Sequence, residues 1–257
     1  MIVRLDLSYD GTSFRGWARQ RGPTRTVQGV LEDALGRILG SEPRLSVAGR
    51  TDAGVHAAGQ VASFAAPPGV DPERLQRALN GMLGPEVVVR SARRAPDGFD
   101  ARHSAKAREY VYRIDTGPVP DPFTSRFVWH RPGRLALAPM RAAARRLLGQ
   151  HDFAAFCRAP EPPAGMVRRV DRIAVSGRGG RVEVRIRANA FCHQMVRSIV
   201  ATLVAVGTGR MEPERVGAIL EGRDRSPVPA VAPAHGLTLV RVVYGPGGGV
   251  HPRRAEL

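Results

Sequence analysis

The stretch LSVAGRTDAGVHAAGQVASF, residues 45–64, holds a loop with three glycines between two short apolar segments. We interpret residues 45–48 as a strand that enters the loop and residues 60–64 as a strand that leaves it. Asp52 is the only acid in this stretch, although the whole chain has a formal net charge of +16. The question is therefore what a single carboxylate does in a glycine-rich loop of a strongly basic protein.

The loop between residues 49 and 61 matches none of the common nucleotide-binding patterns. No Gly-Lys-Ser/Thr follows its glycines, so it is not a Walker P-loop, and its glycine spacing differs from the dinucleotide fingerprint. Asp52 and His56 are too few ligands for a metal, so we expect no metal site here. Two explanations of Asp-Ala-Gly are equally open on spacing alone: ordinary turn chemistry or a functional carboxylate.

Outward from this loop, hydrophobic periodicity predicts a mixture of strands and helices. Residues 2–9 alternate between apolar and polar side chains, which is typical of a half-buried strand. Thr26 and Asp71 are suitable N-caps for two helices, and Pro72 favours the first helical position. The complete prediction has strands at 2–9, 45–48, 60–64, 86–92, 109–115, 170–176, 181–188 and 237–244, and helices at 26–39, 71–83, 138–150, 193–207 and 212–222.

The two halves of this pattern look like two copies of one plan, in which strands are followed by a helix and then by further strands. We therefore predict an α+β protein of two similar sub-domains, with mixed, mainly antiparallel sheets and helices and an active-site cleft between them. The predicted N-terminal sub-domain, 1–105, carries the aspartate loop, and the C-terminal one covers 106–245. Residues 246–257 are rich in glycine and proline and are predicted to form a flexible tail.

The charge balance favours a polyanionic partner. The chain has 39 Lys+Arg against 23 Asp+Glu, and Lys106 is its only lysine. Such an excess points to nucleic acid first and to an anionic membrane second. Because the arginines are scattered along the chain, we expect a folded basic surface and not a disordered basic arm. Cys157 and Cys192 are too few for a disulfide framework or a cysteine-rich zinc site.

Two features argue against a membrane or secreted protein. The start, MIVRLDLSYDG, lacks the long apolar region of a secretory signal. The most apolar stretch, residues 199–206, is far too short to cross a bilayer. We therefore expect a soluble, cytoplasmic protein.

Two further residues have competing explanations. Arg197 falls on the second turn of an otherwise apolar predicted helix, where it either extends to solvent or awaits a carboxylate, since arginine is rarely buried unpaired. Tyr110 and Tyr112 share one face of a predicted strand, so both are expected in the core on pattern alone. Cys192 and His193 stand together before the helix and are more typical of structural residues than of a site.

Six segments in order, covering roughly residues 2–244, resemble the bacterial tRNA pseudouridine synthases of the TruA type. Of these, GRTDAGVHA is highly specific for that family, and the others agree in order and spacing. The segments are YDGTSFRGWARQ, TVQGVLEDAL, AGRTDAGVHAAGQV, FDARHSAKAREYVYRI, RANAFCHQMVRSIVATLVAVG and AHGLTLVRVVY.

The resemblance implies an isomerase without a cofactor, which detaches uracil from its ribose, turns the base and rejoins it through C5. It places the nucleophile on Asp52 and the arginine that pairs with it on Arg197. It places the ring that stacks on the target base on Tyr110, which we then expect to be exposed in the active-site cleft. Arg50 and Arg102 fall on positions associated with RNA contact or base flipping.

The resemblance further implies uridines 38, 39 and 40 of the tRNA anticodon arm as targets, a homodimer, and no DNA or membrane partner. Attack by Asp52 on C1′ of the ribose and addition to C6 of the base are both open. One departure is the proline-rich segment 157–169, where only Arg158, Arg168 and Arg169 stand out as RNA contacts. The alternatives are a non-catalytic RNA-binding protein of the same fold and a hydrolase, although a hydrolase needs a second acid or a metal.

Overall fold

The structure is a computed structural model that describes residues 1–158 and 165–245. The predicted flexible tail, 246–257, and part of the proline-rich segment lie outside the described residues. In chain order the elements are β1 (Ile2–Tyr9), α1 (Val27–Leu39), β2 (Ser46–Val47), β3 (His56–Ala65), α2 (Pro72–Leu83), β4 (Val87–Arg94), β5 (Ala107–Asp115), β6 (Trp129–His130), α3 (Leu137–Arg145), β7 (Gly149–Asp152), β8 (Val167–Arg178), β9 (Arg181–Ala188), α4 (Met195–Gly207), α5 (Arg215–Gly222) and β10 (Leu237–Val243). The predicted α+β class is confirmed.

The chain forms two compact units. The first comprises Met1–Arg108 together with the chain from Leu239 onward, and the second comprises Glu109–Thr238. The predicted limits, 1–105 and 106–245, differ from these units in the last strand, which the prediction assigned to the C-terminal sub-domain. The physical reason is that β10 lies beside β3 in the sheet, so most of it groups with the N-terminal strands. The predicted cleft stays a prediction.

The first unit is a sheet with the order β4-β1-β3-β10, in which β2 also pairs with β3. The apolar side chains of β1 point to one face, where Val3 and Leu5 are 0% exposed. Leucines of α1 and α2 complete this core, and each buried leucine contributes about 1.5–3 kcal/mol. The predicted caps are confirmed: Thr26 Oγ1 accepts from Gly29 N at 3.2 Å, and Asp71 Oδ1 accepts from Glu73 N at 2.9 Å.

The strands of the second unit follow the order β5-β9-β8-β7, and β6 pairs in parallel with β5. The predicted β8–β9 hairpin is confirmed, and Gly179 and Gly180 form its turn with φ values of 56° and 80°. Helix α3 packs on α4 and on β8. All residues of α4 except Arg197 are buried, so this helix forms the centre of the unit.

Several predicted boundaries are wrong, and three of them have a clear physical reason. Strand β3 begins at His56 and not at residue 60, because Ala57 already pairs with Tyr9 of β1. Helix α3 ends at Arg145, where Arg146 N turns to Ala143 O and closes a tighter turn, so Gly149 begins β7. Helix α4 begins at Met195 because Gln194 has a left-handed φ of 65°.

Two further features concern helix length and the cysteines. No helix in the described ranges is long and apolar enough to cross a membrane. Cys157 and Cys192 form one disulfide, with their Cα atoms 5.8 Å apart, which joins the start of the proline-rich segment to the residues before α4. This single bond lies within the second unit, consistent with a structural role for both cysteines.

Candidate active site

Asp52 stands at the first position of a tight turn in the first unit. Val55 N donates to Asp52 O at 3.1 Å, and Gly54 takes the φ of 77° that such a turn requires at its third residue. The turn explanation of Asp-Ala-Gly is therefore right about the backbone. It leaves the carboxylate itself unexplained, because Asp52 uses its carbonyl, not its side chain, to close the turn. The side chain is half-buried.

A second loop, residues 11–17, holds the turn from one side. Trp17 N donates to Thr51 O at 3.0 Å, and Gly54 N donates to Phe14 O at 3.3 Å. Gly16 has a φ of 94°, and a Cβ there would lie 2.8 Å from Thr51 O. Only glycine permits this approach, so the two loops are packed backbone against backbone. The position of Asp52 is thereby set without any charged neighbour in these contacts.

A buried polar network supports the same loop from below. The hydroxyl groups of Tyr9 and Thr51 are 2.8 Å apart. Gln60 Nε2 donates to Tyr9 Oη at 3.3 Å and to Gly49 O at 2.7 Å. Burial raises the pKa of Tyr9 to about 12, so its phenol stays neutral and can donate at physiological pH. The network joins β1 and β3 to both ends of the Arg50–Thr51 segment.

His56 also has a structural position. Its ring is 2% exposed, and Nδ1 accepts from Gly11 N at 3.0 Å, with Asp10 Oδ1 3.2 Å from the same nitrogen. An accepting Nδ1 places the proton of a neutral imidazole on Nε2. The ring therefore ties the start of the 11–17 loop to β3. Among the described residues no group of three His, Cys, Asp or Glu side chains is arranged to hold a metal ion.

Arg108 is a buried cation that sequence reasoning missed. It is 8% exposed, and its guanidinium donates to Ala48 O at 2.8 Å, Ala105 O at 3.2 Å and Arg102 O at 2.8 Å. It thus connects the strand that enters the Asp52 loop with the 100–106 loop. In a chain with so many arginines, nothing in the sequence distinguishes Arg108 from exposed ones.

The two predicted RNA contacts of the first unit, Arg50 and Arg102, are both exposed. Arg102 stands on a turn that Asp100 stabilises, since Asp100 Oδ1 accepts from the backbone of Arg102 and of His103 at 2.8 Å each. Burial raises the pKa of Asp100, but these backbone donors and Ser46 outweigh it, and the net pKa is lowered. The carboxylate is therefore ionised when it holds the turn.

Arg197 lies in the first turn of α4, not in the second as predicted, because the helix begins at Met195. It is the one residue of α4 that is not buried. Its Nε donates to Ala232 O at 2.7 Å, and Ala232 N donates to Arg197 O at 3.3 Å. The direction of the guanidinium is thus fixed by a backbone carbonyl of its own unit.

Two neighbours of Arg197 are kept neutral. Burial raises the pKa of Tyr112, whose hydroxyl donates to Pro233 O at 2.7 Å, and the charge of Arg197 acts in the opposite direction. Burial lowers the pKa of His235, and the charge of Arg197 lowers it further. Because the phenol and the imidazole are both neutral, neither side chain offsets the positive charge of Arg197.

The prediction that the Tyr110 ring is exposed is wrong. Tyr110 is 6% exposed, and the ring of Phe191 meets it edge-on with centroids 5.1 Å apart. The physical reason is that Tyr110 and Tyr112 share the apolar face of β5, as the strand pattern indicated, and the segment before α4 covers that face. A role for Tyr110 in stacking therefore needs a change at Phe191.

The site residues are distributed over both units. Asp52, Arg50 and Arg102 belong to the first unit, and Tyr110 and Arg197 belong to the second. The pairing of Asp52 with Arg197 stays a prediction. The structure adds Tyr9, Thr51, Gln60, His56 and Arg108 as residues that position the Asp52 loop.

A carboxylate on a tight turn and two exposed arginines in the same unit are compatible with an enzyme that acts on RNA. The family model described as tRNA pseudouridine synthase matches residues 7–104 and 143–245, which include Asp52 and Arg197 and leave Tyr110 between the two matches. The chain belongs to the tRNA pseudouridine synthase family, whose members are isomerases. The predicted family and enzyme class are thereby confirmed.

Individual relatives agree over nearly the whole chain. The chain is 52% identical to the tRNA pseudouridine synthase A of Frankia casuarinae, over 95% of this chain and 89% of that protein. It is 44% identical to that of Corynebacterium glutamicum, over 100% and 93% of the two chains. It is 40% identical to that of Bacillus subtilis, over 95% and 99%.

Proposed function

We propose that this protein isomerises uridine to pseudouridine at positions 38, 39 and 40 of tRNA, with Asp52 as the nucleophile. The observation that carries the proposal is the Asp52 turn, which is held rigidly by the 11–17 loop and by the buried Tyr9–Thr51–Gln60 network. Such rigidity is what a carboxylate needs to attack a sugar or a base at a fixed angle. Membership of the family and the similarity to proteins named tRNA pseudouridine synthase A support the substrate class.

The reaction breaks the bond between C1′ and N1 and forms a bond between C1′ and C5. The carboxylate of Asp52 attacks either C1′ of the ribose or C6 of the base, and both routes release Asp52 at the end. The proton on C5 is lost, and N1 gains a proton, so no oxidant or cofactor enters the balance. The half-buried position of Asp52 limits water around the nucleophile while leaving it open to a substrate.

Arg197 is proposed as the ionic partner of Asp52. A cation in the first turn of a helix is repelled by the positive end of the helix dipole, and α4 has no acidic residue in its first turn. A carboxylate from elsewhere offsets that repulsion. An arginine beside the nucleophile also favours its ionised form and sets its direction. The hydrogen bond from Arg197 Nε to Ala232 O would keep the guanidinium in place during the reaction.

Tyr110 is proposed to receive the target base after the base leaves the anticodon stem. A base in a stem must be flipped out before it can react, and an aromatic face is a suitable surface for it. Since Phe191 meets the Tyr110 ring edge-on, we propose that the segment before α4 moves when RNA binds. Arg50 and Arg102 are exposed and are proposed to contact the RNA backbone or to support the flipped conformation.

We further propose that the protein acts as a homodimer, in which one subunit holds the target base and the other contacts the body of the tRNA. Two basic surfaces related by a two-fold axis present more phosphate contacts than one. The chain excess of arginine supports this, and sedimentation at micromolar concentration tests it. A monomer at that concentration would contradict the proposal.

The deciding experiment measures tritium release from tRNA transcripts made with 5-tritiated uridine. The wild-type protein should release tritium from positions 38 to 40, and Asp52→Asn should release none while still binding tRNA. Asp97→Asn, a change of the same type at an exposed site of the first unit, is the matched control and should retain activity. Turnover by Asp52→Asn would end the nucleophile assignment, and no release by the wild type would favour a non-catalytic RNA-binding protein.

A further inference from the structure

The β8–β9 hairpin of the second unit has one apolar and one charged face. Val175 pairs with Val184, and Ile173 with Ile186, on the face toward the helices. The residues between these apolar ones point to the opposite face, which carries the charges. The pairs on this charged face are Arg172 with Arg187, Ala174 with Arg185, Ser176 with Glu183 and Arg178 with Arg181.

Some cations on the charged face are balanced by acids of neighbouring strands. Arg185 lies 2.9 Å from Glu109, and Arg113 lies 3.0 Å from Glu183. Both are cross-strand ion pairs, which stabilise the sheet and need no ligand to account for them. They also show that Glu109 of β5 belongs to the charged face, so Tyr110, the next residue, faces the other side.

Arg172 and Arg187 are not balanced in this way. Across residues 1–158 and 165–245 neither has a carboxylate within 4.0 Å, and the nearby Asp171 is paired with Arg169 at 2.8 Å. Like charges directly opposite each other on two strands are unfavourable. In addition, Arg187 Nε is buried and lacks a hydrogen-bond partner. A buried donor without an acceptor destabilises a fold. The strand pairing around Arg172 and Arg187 explains neither the facing like charges nor the unsatisfied Nε.

We propose that Arg172 and Arg187 together bind one phosphodiester of the tRNA backbone. This inference rests on the proposed function, because it takes tRNA as the partner. A phosphate between the two guanidinium groups removes the repulsion, and the planar forks of arginine match phosphate oxygens. The pair is on the face opposite Tyr110, so the phosphate belongs to the body of the tRNA and not to the flipped nucleotide.

The test is filter binding of full-length tRNA over a range of salt concentrations with Arg172→Gln, Arg187→Gln and the double variant. The double variant should lower the slope of log affinity against log salt by about one, the value for one phosphate, and each single change should lower it by less. The double variant should bind about tenfold more weakly at physiological ionic strength. The loss should be larger for full-length tRNA than for the isolated anticodon stem-loop. Arg187→Lys, which keeps the charge, should retain most of the slope.

Two controls separate binding from folding. Arg146→Gln removes the same charge directly after α3, where Arg146 is paired with Glu214 at 3.2 Å, and should leave the salt slope unchanged. Arg172→Gln should leave the melting temperature of the RNA-free protein unchanged or raise it, because it relieves repulsion. A lowered melting temperature with normal tRNA binding would show a structural role and overturn the proposal.

Two further outcomes would also overturn it. One is an affinity and salt slope of the double variant equal to those of the wild type. The other is a double variant that loses self-association in sedimentation while each chain binds tRNA normally, which would assign the face to a second copy. A wild type that releases no tritium but shows the predicted binding losses would defeat the catalytic proposal alone and leave this phosphate site standing.

Discussion

The Asp52 loop and the start of α4 both present a charged side chain, but the chain holds the two by different means. Asp52 is positioned by its backbone: neighbouring amides, a glycine contact and a buried neutral network determine where its Cα lies. Arg197 is positioned by its side chain, because its Nε donates to Ala232 O while the rest of α4 is buried. The aspartate side chain is short, so the position of its carboxylate depends on the position of its backbone. The arginine side chain is long, so a hydrogen bond to its guanidinium can fix where the charge lies.

The difference teaches where each charge is vulnerable. Changes to small or neutral residues around the loop should disturb Asp52, although none of them is charged. The same kind of change around α4 should matter less than a change of Arg197 itself. Four substitutions test this contrast.

The largest effect is expected for Arg197→Ala. If Arg197 pairs with Asp52 as proposed, its removal should cost about 3 kcal/mol of unfolding free energy, the lower end for an ion pair, because neither residue is fully buried. Tritium release should fall below detection, and urea unfolding should show the loss. Arg146→Ala breaks an exposed pair and should cost at most about 1 kcal/mol. A stable, active Arg197→Ala would show that Asp52 needs no arginine.

Gly16→Ala should come next. The new Cβ would lie 2.8 Å from Thr51 O at a φ of 94°, so the loop must shift. We expect a loss of about 1–3 kcal/mol in stability and a lower kcat, because the shift moves Asp52. Gly69→Ala has a similar φ of 80° and open space around it, and it reports the strain alone. Equal kcat values in the two variants would show that the 11–17 loop does not position the nucleophile.

Tyr110 separates stacking from packing. Tyr110→Phe keeps the aromatic face and should bind tRNA nearly as well as the wild type. Tyr110→Ala should lose about 1–3 kcal/mol of RNA binding and most of its turnover, since base–aromatic stacking is of that size. The ring is buried, so unfolding must be measured in parallel. Normal turnover by the alanine variant would leave Tyr110 as a core residue only.

The smallest effect is expected for Thr51→Val, which removes one hydroxyl without changing the shape of the side chain. Tyr9 Oη loses its 2.8 Å neighbour but still accepts from Gln60 Nε2. A loss of about 0.5–1.5 kcal/mol in unfolding free energy is expected. Thr24→Val, the same change at a half-exposed site outside both loops, should stay within about 0.5 kcal/mol of the wild type. A Thr51→Val protein as stable as that control would remove Thr51 from the supporting network.

The sequence predicted the α+β class, the family, the caps at Thr26 and Asp71 and the β8–β9 hairpin. These features depend on residues within a few positions of one another, or on a motif that is specific in itself. It did not predict that β3 begins at His56, which follows from pairing with β1. It predicted an exposed ring for Tyr110 from the resemblance, although the strand pattern favoured the core.

By itself, then, the sequence determined which loop carries the single acid and where most of the strands and helices lie, because capping, turns and periodicity are local; it missed β6 and β7. The tertiary structure alone decided that Phe191 covers Tyr110, that Arg108 holds three carbonyls, and that Arg172 lies opposite Arg187. The sequence does not distinguish an arginine that is solvated from one that is buried and bonded to carbonyl groups, or from one that faces another arginine. Its environment is set by residues distant in the chain, and that environment determines its charge balance and what it can bind.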